Sequence, residues 1–486
     1  MNYLILVPIF AAFLLGAGVS YQKFEDIKKM NHYAVVATFM VSIASFVTLI
    51  SMSGQYLTLF KFNNVLKIAF KIDGLGAIFA AMVSFLWPLA VVYATEYMKH
   101  EGRQKKFFTF YIMTFGVTLG IAFSANMLTL YLCYELLTFI TLPLVTHGMD
   151  ERSVYAGKKY LIYSVGGASL SFIGMMIVLA ETGNLEYTYG GIAGLIPNNV
   201  TLFAYVLMFM GFGVKAAVFP LHAWLPGASV APTTVTALLH AVAVVKAGVF
   251  AIMRSTYYLF GTELLYGTWA QEFVMSVAII TICFGSWMAM RSKHFKRRLA
   301  YSTVSQLSYI LLGVTIMTTR GFAGALSHMI FHALMKIVLF YTAGVVLYMA
   351  HKEYIGDVQG FGRKMPKTFM CFTICSLALI GVPPFAGFFS KFAIASAAAE
   401  MGNTIGFLGI CALMLSALFT AMYLLQIVVL AWLPHKDFDS AELEKVKEAP
   451  KAMTTPMIII TATMVILSLC SKPLFSFFEL VAKGGF

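Results

Sequence analysis

Long apolar runs separated by short polar stretches recur along this whole chain. A helix needs about 20 largely apolar residues to cross a bilayer. Runs of that kind fall near 4–20, 34–52, 74–96, 107–124, 126–146, 160–181, 203–220, 233–254, 272–290, 300–317, 325–349, 369–389, 404–433 and 453–471. The pattern predicts an all-α polytopic membrane protein with fourteen transmembrane helices. The first run ends in Lys23, Glu25 and Asp26 with no small-residue cleavage site, so it reads as a retained helix rather than a signal peptide. No long linker or low-complexity stretch divides the chain, which reads as one membrane domain.

Composition agrees. Of 486 residues, 60% are apolar and 11% charged, against roughly 45–50% and 25% in a soluble chain. A mean hydropathy of +0.83 comes from the whole length. A soluble enzyme, a disordered chain and a disulfide-stapled secreted domain are excluded. The six cysteines (Cys133, Cys283, Cys371, Cys375, Cys411, Cys470) lie scattered through apolar stretches. They lack the clustering an Fe–S cluster needs and the ligand spacing zinc needs. They read as small buried apolar residues, and no cofactor is expected in this chain.

Net charge is +13, from 34 Lys+Arg against 21 Asp+Glu. Position decides what the excess means. Six loops, each after an odd-numbered run, carry most of the Lys and Arg: 22–31, 98–106, 147–159, 291–298, 351–367 and 435–451. The loops 182–202 and 255–271 carry none, and 53–73 is an exception with Lys61, Lys67 and Lys71. Cytoplasmic loops carry the basic excess, so these six should face the cytoplasm and both termini the outside. The charge is a topological signal, not a nucleic-acid footprint. A prokaryotic cytoplasmic (inner) membrane is the expected location.

Runs four to eight (107–254) and nine to thirteen (272–433) form two blocks of five. An odd number of spans per block places the second block inverted, as in many transporters. The fourth span of each block is interrupted by proline: "GVKAAVFPLHAWLP" with Pro220 and Pro226, and "GVPPFAGFFSKF" with Pro383 and Pro384. Such breaks are tolerated where backbone lines a polar cavity. The expected organisation is 1–106 (helices one to three), 107–254 and 272–433 (the inverted five-helix repeats, each with a broken helix), and 434–486 (a cytoplasmic loop and the last helix).

A charge inside the membrane is costly and marks function by default. Five candidates stand out: Glu135, Lys215, Lys246, Lys336 and Lys391, joined by His240, His328 and His332. Each lysine taken singly could be a structural cation held by helix C-terminal carbonyls, but four together, two beside proline breaks, point to proton transfer. Burial favours a neutral lysine and a nearby carboxylate favours the charged one. A buried Lys–Glu pair whose separation changes is therefore a proton switch, and Glu135 and Lys215 are candidates for it. His328, His332 and Lys336, spaced i, i+4, i+8, share one helix face and form a file of titratable groups. Histidine suits a relay at neutral pH. His240 and Lys246, six residues apart, point to different faces. A zinc reading of His328 and His332 lacks a third ligand and places a lysine one turn on.

At these residues the sequence resembles the antiporter-like subunits shared by respiratory complex I, the energy-converting membrane-bound hydrogenases (formate hydrogenlyase type included) and the Mrp-type Na+/H+ antiporters. The motifs that carry the resemblance run from 73 to 430. They are "YELLT" around Glu135, residues 211–250 ("GFGVKAAVFPLHAWLPGASVAPTTVTALLHAVAVVKAGVF"), "KRRLAYSTVSQLSY" (296–309), "SHMIFHALMKIVLFYTAG" (327–344) and "GVPPFAGFFSKF" (381–392). The resemblance implies that Glu135 and Lys215 form the coupling pair. Lys246, His328, His332 and Lys336 would carry the central relay, and Lys391 would be the exit-side group, which is lysine in some members and glutamate in others. One departure is His294, where the family often has an acid two residues before the lysine matching Lys296. The chain ends soon after the last run, without the long lateral helix of the largest complex I member, so it resembles a middle-sized one. "ALLHAVAVVKAG" looks closer to hydrogenase or Mrp members.

The sequence thus points to a proton-translocating membrane subunit of a multi-subunit complex, itself non-redox, of an energy-converting hydrogenase or complex I type. An Mrp-type antiporter subunit is the alternative within the family. A standalone secondary transporter and a non-pumping scaffold are the alternatives outside it. Expected partners are the lipid bilayer, other membrane subunits including paralogous antiporter-like ones, hydrophilic redox subunits, and protons and Na+ as cargo. Any Fe–S, NiFe, flavin or quinone group would lie in partner subunits.

Overall fold

The computed structural model describes residues 2–63, 65–434, 443–444 and 446–485. Helices occupy every apolar run. They are α1 (Val7–Tyr21), α2 (Ile27–Ser51), α3 (Gly74–Tyr97), α4 (Gln104–Ala122), α5 (Met127–Val145), α6 (Glu151–Thr182), α7 (Asn199–Gly213) and α8 (Thr233–Phe260). There follow α9 (Trp269–Arg291), α10 (Phe295–Thr315), α11 (Thr319–Ala350), α12 (Pro366–Ile380), α13 (Ala386–Glu400), α14 (Thr404–Trp432), α15 (Lys451–Leu469) and α16 (Ser471–Ala482). Ten of the described helices are long and apolar enough to cross a membrane, and α7 and α12 are shorter apolar helices.

Helix starts follow side-chain chemistry. Asp26, Asp73, Asn126, Asn198, Thr268, His294, Thr318 and Asn403 each accept a backbone N–H of the first turn, satisfying donors that no helix can satisfy internally.

Three features depart from the sequence expectation. The chain is not wholly helical, because Tyr56–Lys61 (β1) and Lys67–Lys71 (β2) pair as an antiparallel hairpin. The run predicted over 369–389 breaks around Pro383 and Pro384, stopping at Ile380, but resumes at Ala386 and continues to Glu400, past its predicted end. Helix α16 lies beyond the last predicted run. The cysteines also differ: Cys371 and Cys375 are buried, but Cys411 and Cys470 are exposed and Cys133 and Cys283 half-buried. Their apolar surroundings include the outer surface as well as the core.

Helix α8 is buried along its length, whereas α1, α2, α6 and α14 carry exposed apolar residues such as Leu14 at 72%, Ile50 at 85% and Met414 at 70%. So broad an apolar outer surface belongs against lipid or a partner subunit.

The basic loops gather on one face. Asn31 donates to the Thr95 carbonyl (3.3 Å), His147 meets the Gly102 carbonyl (3.2 Å) and His100 stacks on Tyr348 (4.5 Å). His294 faces Glu353 (3.5 Å), and Glu448 accepts the Lys367 N–H (2.8 Å). Within the sixth basic loop, residues 435–442 and 445 lie outside the described residues. The remaining loops join on the opposite face, where Glu186 binds Lys67 (3.3 Å), Tyr56 (2.9 Å) and Asn126 (3.0 Å). This accounts for one of the three lysines in 53–73, since Lys67 is an ion-paired hairpin residue. Asn2 and Ala482 sit on this second face, bonded to Tyr56 and Tyr189.

Candidate functional site

Helix α7 ends at Gly213, and the next ten residues, including Pro220, are not helical. The freed groups find partners: Trp224 Nε1 donates to the Val214 carbonyl (2.7 Å), and the Phe219 N–H donates to Thr281 Oγ1 (3.0 Å). Lys215 sits within this break with no exposed surface. Its ammonium donates to the Tyr134 carbonyl of α5 and lies 3.4 Å from the centre of the Tyr134 ring. Helix α8 can approach the break because of Gly248. A Cβ there would stand 2.6 Å from Ala216 N and 2.9 Å from Phe212 O.

Glu135, the neighbour of Tyr134, is half-buried on α5, and its Oε1 is buried without a protein partner. Lys215 is within electrostatic reach of it, yet bonds to the Tyr134 carbonyl instead. The predicted pair is adjacent but not closed as an ion pair.

Lys246, two residues before Gly248 on α8, reaches α11. Its Nζ lies 2.9 Å from His332 Nδ1, both residues having no exposed surface. Two unit charges about 3 Å apart repel by roughly 5 kcal/mol at an effective dielectric of 20, so at most one of the two carries a charge at a time. His332 and His328 are one turn apart with ring centres 6.1 Å from each other. His328 Nδ1 meets Ser390 Oγ of α13 (2.9 Å), and its Nε2 meets Gln306 Oε1 of α10 (3.1 Å).

Lys391 follows Ser390 and stands at the second break. Its Nζ donates to the Leu379 (2.6 Å) and Ile380 (3.1 Å) carbonyls, the open C-terminal end of α12, and sits 4.9 Å over the Tyr309 ring. Tyr309 in turn stacks on His328 at 5.6 Å. Gly381 turns the backbone left-handed beside the lysine, whose Cδ would lie 3.3 Å from any Cβ there. Lys246, His332, His328, Ser390 and Lys391 thus line up as one lateral file through the buried core, hydrogen-bonded at Lys246–His332 and His328–Ser390 and separated by 6.1 Å between the two imidazole rings.

Besides Glu135 and Lys215, two further predicted residues stand off this file. Lys336 Nζ donates to the Leu299 carbonyl of α10 (3.0 Å). His240 occupies a widened, π-helical turn of α8 (Leu238–Val242) and packs on Phe340 at 4.9 Å, with neither ring nitrogen bonded to protein. Among the described residues no direct bond joins Lys215 to Lys246, although both flank Gly248.

Sequence reasoning missed Tyr134, Gln306, Tyr309, Ser390 and Gly248. All lie inside the quoted motifs. Polarity at mid-helix flags Gln306, and adjacency to Lys391 flags Ser390. The departure at His294 is also resolved: Glu353 brings an acid to that loop from another part of the chain. Burial lowers the His294 pKa, while Glu353 acts against that fall.

Comparison with known proteins places this geometry. A family model described as "NADH:quinone oxidoreductase/Mrp antiporter, TM" matches residues 124–420. A second, "NADH-Ubiquinone oxidoreductase (complex I), chain 5 N-terminus", matches 61–108. NADH-quinone oxidoreductase subunit N of Desulforudis audaxviator is 31% identical over 424 residues, 83% of this chain and 82% of that protein. NADH-quinone oxidoreductase subunit L of Mycobacterium tuberculosis is 33% identical over 398 residues, 80% of this chain but only 61% of that protein. In fold, a chain of the archaeal membrane-bound sulfane sulfur reductase matches with a TM-score of 0.85 at 22% identity, covering 99% of this chain and 96% of that one.

Proposed function

Because this chain belongs to the NADH:quinone oxidoreductase/Mrp antiporter family of membrane subunits, we propose that it carries protons through the bilayer by the buried Lys/His file, switched by Glu135 and Lys215. The observation that carries this reading is the Lys246–His332 hydrogen bond of 2.9 Å, with both partners fully buried. When Lys246 is an ammonium, it donates to a neutral His332 Nδ1. When the proton crosses, the imidazolium donates back to the amine. His328, Ser390 and Lys391 extend the same exchange toward the second break. The buried ring nitrogens of His240 and His332 Nε2, free of protein partners, are available to a hydrated branch.

Lys215 and Glu135 act as the switch that sets the file. With the lysine on the Tyr134 carbonyl, the carboxylate does not hold its proton; swinging the ammonium to Glu135 stabilises it as a cation. Each proton moved against 100 mV costs about 2.3 kcal/mol. A change of two pK units supplies about 2.7 kcal/mol, so opening and closing one such pair is of the right size.

The architecture proposed is fourteen membrane helices in which 107–254 and 272–433 are inverted repeats, each with one broken helix. The basic face is cytoplasmic, in a prokaryotic inner membrane. The chain carries no redox group. Its driving force comes from partner subunits of a hydrogenase or complex I type, with paralogous antiporter-like subunits beside it. A second reading, a subunit of an Mrp-type Na+/H+ antiporter, is favoured by the family itself, which spans both assemblies.

The test is Lys215→Ala and Glu135→Ala in the complete complex. Both should abolish coupled ion transport while the complex still assembles, and wild-type rates in both would end the proposal.

A further inference from the structure

A cavity of about 870 Å³ lies on the basic face, outside the lateral file. Its walls come from the start of α6, the segment following the first break, the α9–α10 junction, and residues 353–354. Six basic side chains line it: Arg152 and Lys159 from α6, and Arg291, Lys293, Lys296 and Arg297 from the junction. Only Asp150 and Glu353 oppose them. Glu353 is engaged by His294 at 3.5 Å. None of the six cations forms an ion pair among the described residues.

Two further features fit a ligand. The Ser229 hydroxyl, on the cavity wall, is 6% exposed and has no protein partner. The cations rest on aromatic faces: Arg291 on Trp287 (5.0 Å), Arg297 on Tyr301 (5.8 Å) and Lys159 on Tyr163 (5.9 Å). Basic groups among Trp and Tyr are characteristic of headgroup depth in a bilayer. Val230 on the cavity wall is 49% exposed and Trp287 is 42% exposed, giving apolar surface next to the charges. The volume is far larger than one inorganic ion needs and falls in the usual range for organic ligands.

We propose that this cavity binds the phosphate-bearing headgroup of an anionic phospholipid, whose acyl chains lie along the exposed Val230 and Trp287 surface. The cations neutralise the phosphate, and Ser229 donates to one of its oxygens. Basic pockets between membrane helices recognise anionic headgroups in this way.

The test uses the full-length protein in neutral detergent with whatever subunits accompany it. Native mass spectrometry measures retention of phosphatidylglycerol and phosphatidylcholine. Wild type should prefer phosphatidylglycerol at least about 10-fold. A triple variant, Arg291→Gln/Lys293→Gln/Arg297→Gln, should lower its retention by about 10- to 100-fold. Arg152→Gln/Lys159→Gln, on the other wall, should lower it separately, so misfolding of one variant does not decide the matter. Equal retention of the two lipids, or retention unchanged in both variants, overturns the proposal. Displacement of the lipid by millimolar inorganic phosphate alone would make this a free-anion site and also overturn it.

Discussion

Gly248→Ala adds one methyl group where α8 crosses the first break, and the structure sets its consequence. The new carbon would stand 2.6 Å from Ala216 N, 2.9 Å from Phe212 O and 3.0 Å from the Lys215 carbonyl carbon. All three are backbone atoms, so no side chain can rotate away. Restoring ordinary contact moves the break by roughly 0.5–1 Å at an overpacking cost of about 1–3 kcal/mol. Lys215 rides on that segment, and proton transfer needs heavy atoms within about 2.6–3.2 Å. A displacement of that size costs about 100-fold in rate. Dye-quench proton uptake in membrane vesicles, normalised to the amount of assembled chain, should therefore collapse. Gly166→Ala on α6 is the control, because a Cβ there meets nothing within 4 Å. It should leave uptake and stability near wild type, within about 0.5 kcal/mol. If Gly248→Ala pumped like Gly166→Ala, the claim that the break positions Lys215 would be refuted.

Other outcomes follow from the same geometry. Arg254 is fully buried and bidentate to Asp73 at 2.5 and 2.7 Å. Asp73→Ala should destabilise the protein by about 3–5 kcal/mol in a thermal melt in detergent, with Asp73→Asn milder because it keeps the Gly76 cap. Lys391→Arg should assemble but translocate protons at least about 10-fold more slowly, since a guanidinium does not release its proton. Burial lowers the His294 pKa, so its contribution to stability is present above its ordinary value and is lost as pH falls through the folded value. His294→Asn, which retains a capping side chain, should flatten the acid side of a melting-temperature profile, and an unchanged acid limb would count against this.

The membrane class, the helix positions and the gathering of the basic loops on one face were legible because each depends on local pattern: apolar runs, caps and charged loops. Lys215 and Lys391 were also legible, as charges beside proline breaks. What sequence could not supply was contact across 80 or more residues. That Lys246 meets His332, and that Lys215 bonds to Tyr134 rather than Glu135, depends on how α5, α8, α11 and the first break sit against each other. The break between Ile380 and Ala386 was legible from Pro383 and Pro384, but the extension of the resumed helix to Glu400 escaped a hydropathy reading that closed the run at 389. The β1–β2 hairpin was hidden inside a stretch read only for its lysines.

The central claim is that protons pass through the Lys246–His332 contact. Its most direct test is proton translocation by the complete complex carrying Lys246→Met, which keeps the length of the side chain and removes its exchangeable protons. The account predicts a loss of at least about 10-fold with assembly unchanged. Translocation at the wild-type rate by a fully assembled Lys246→Met complex would contradict it.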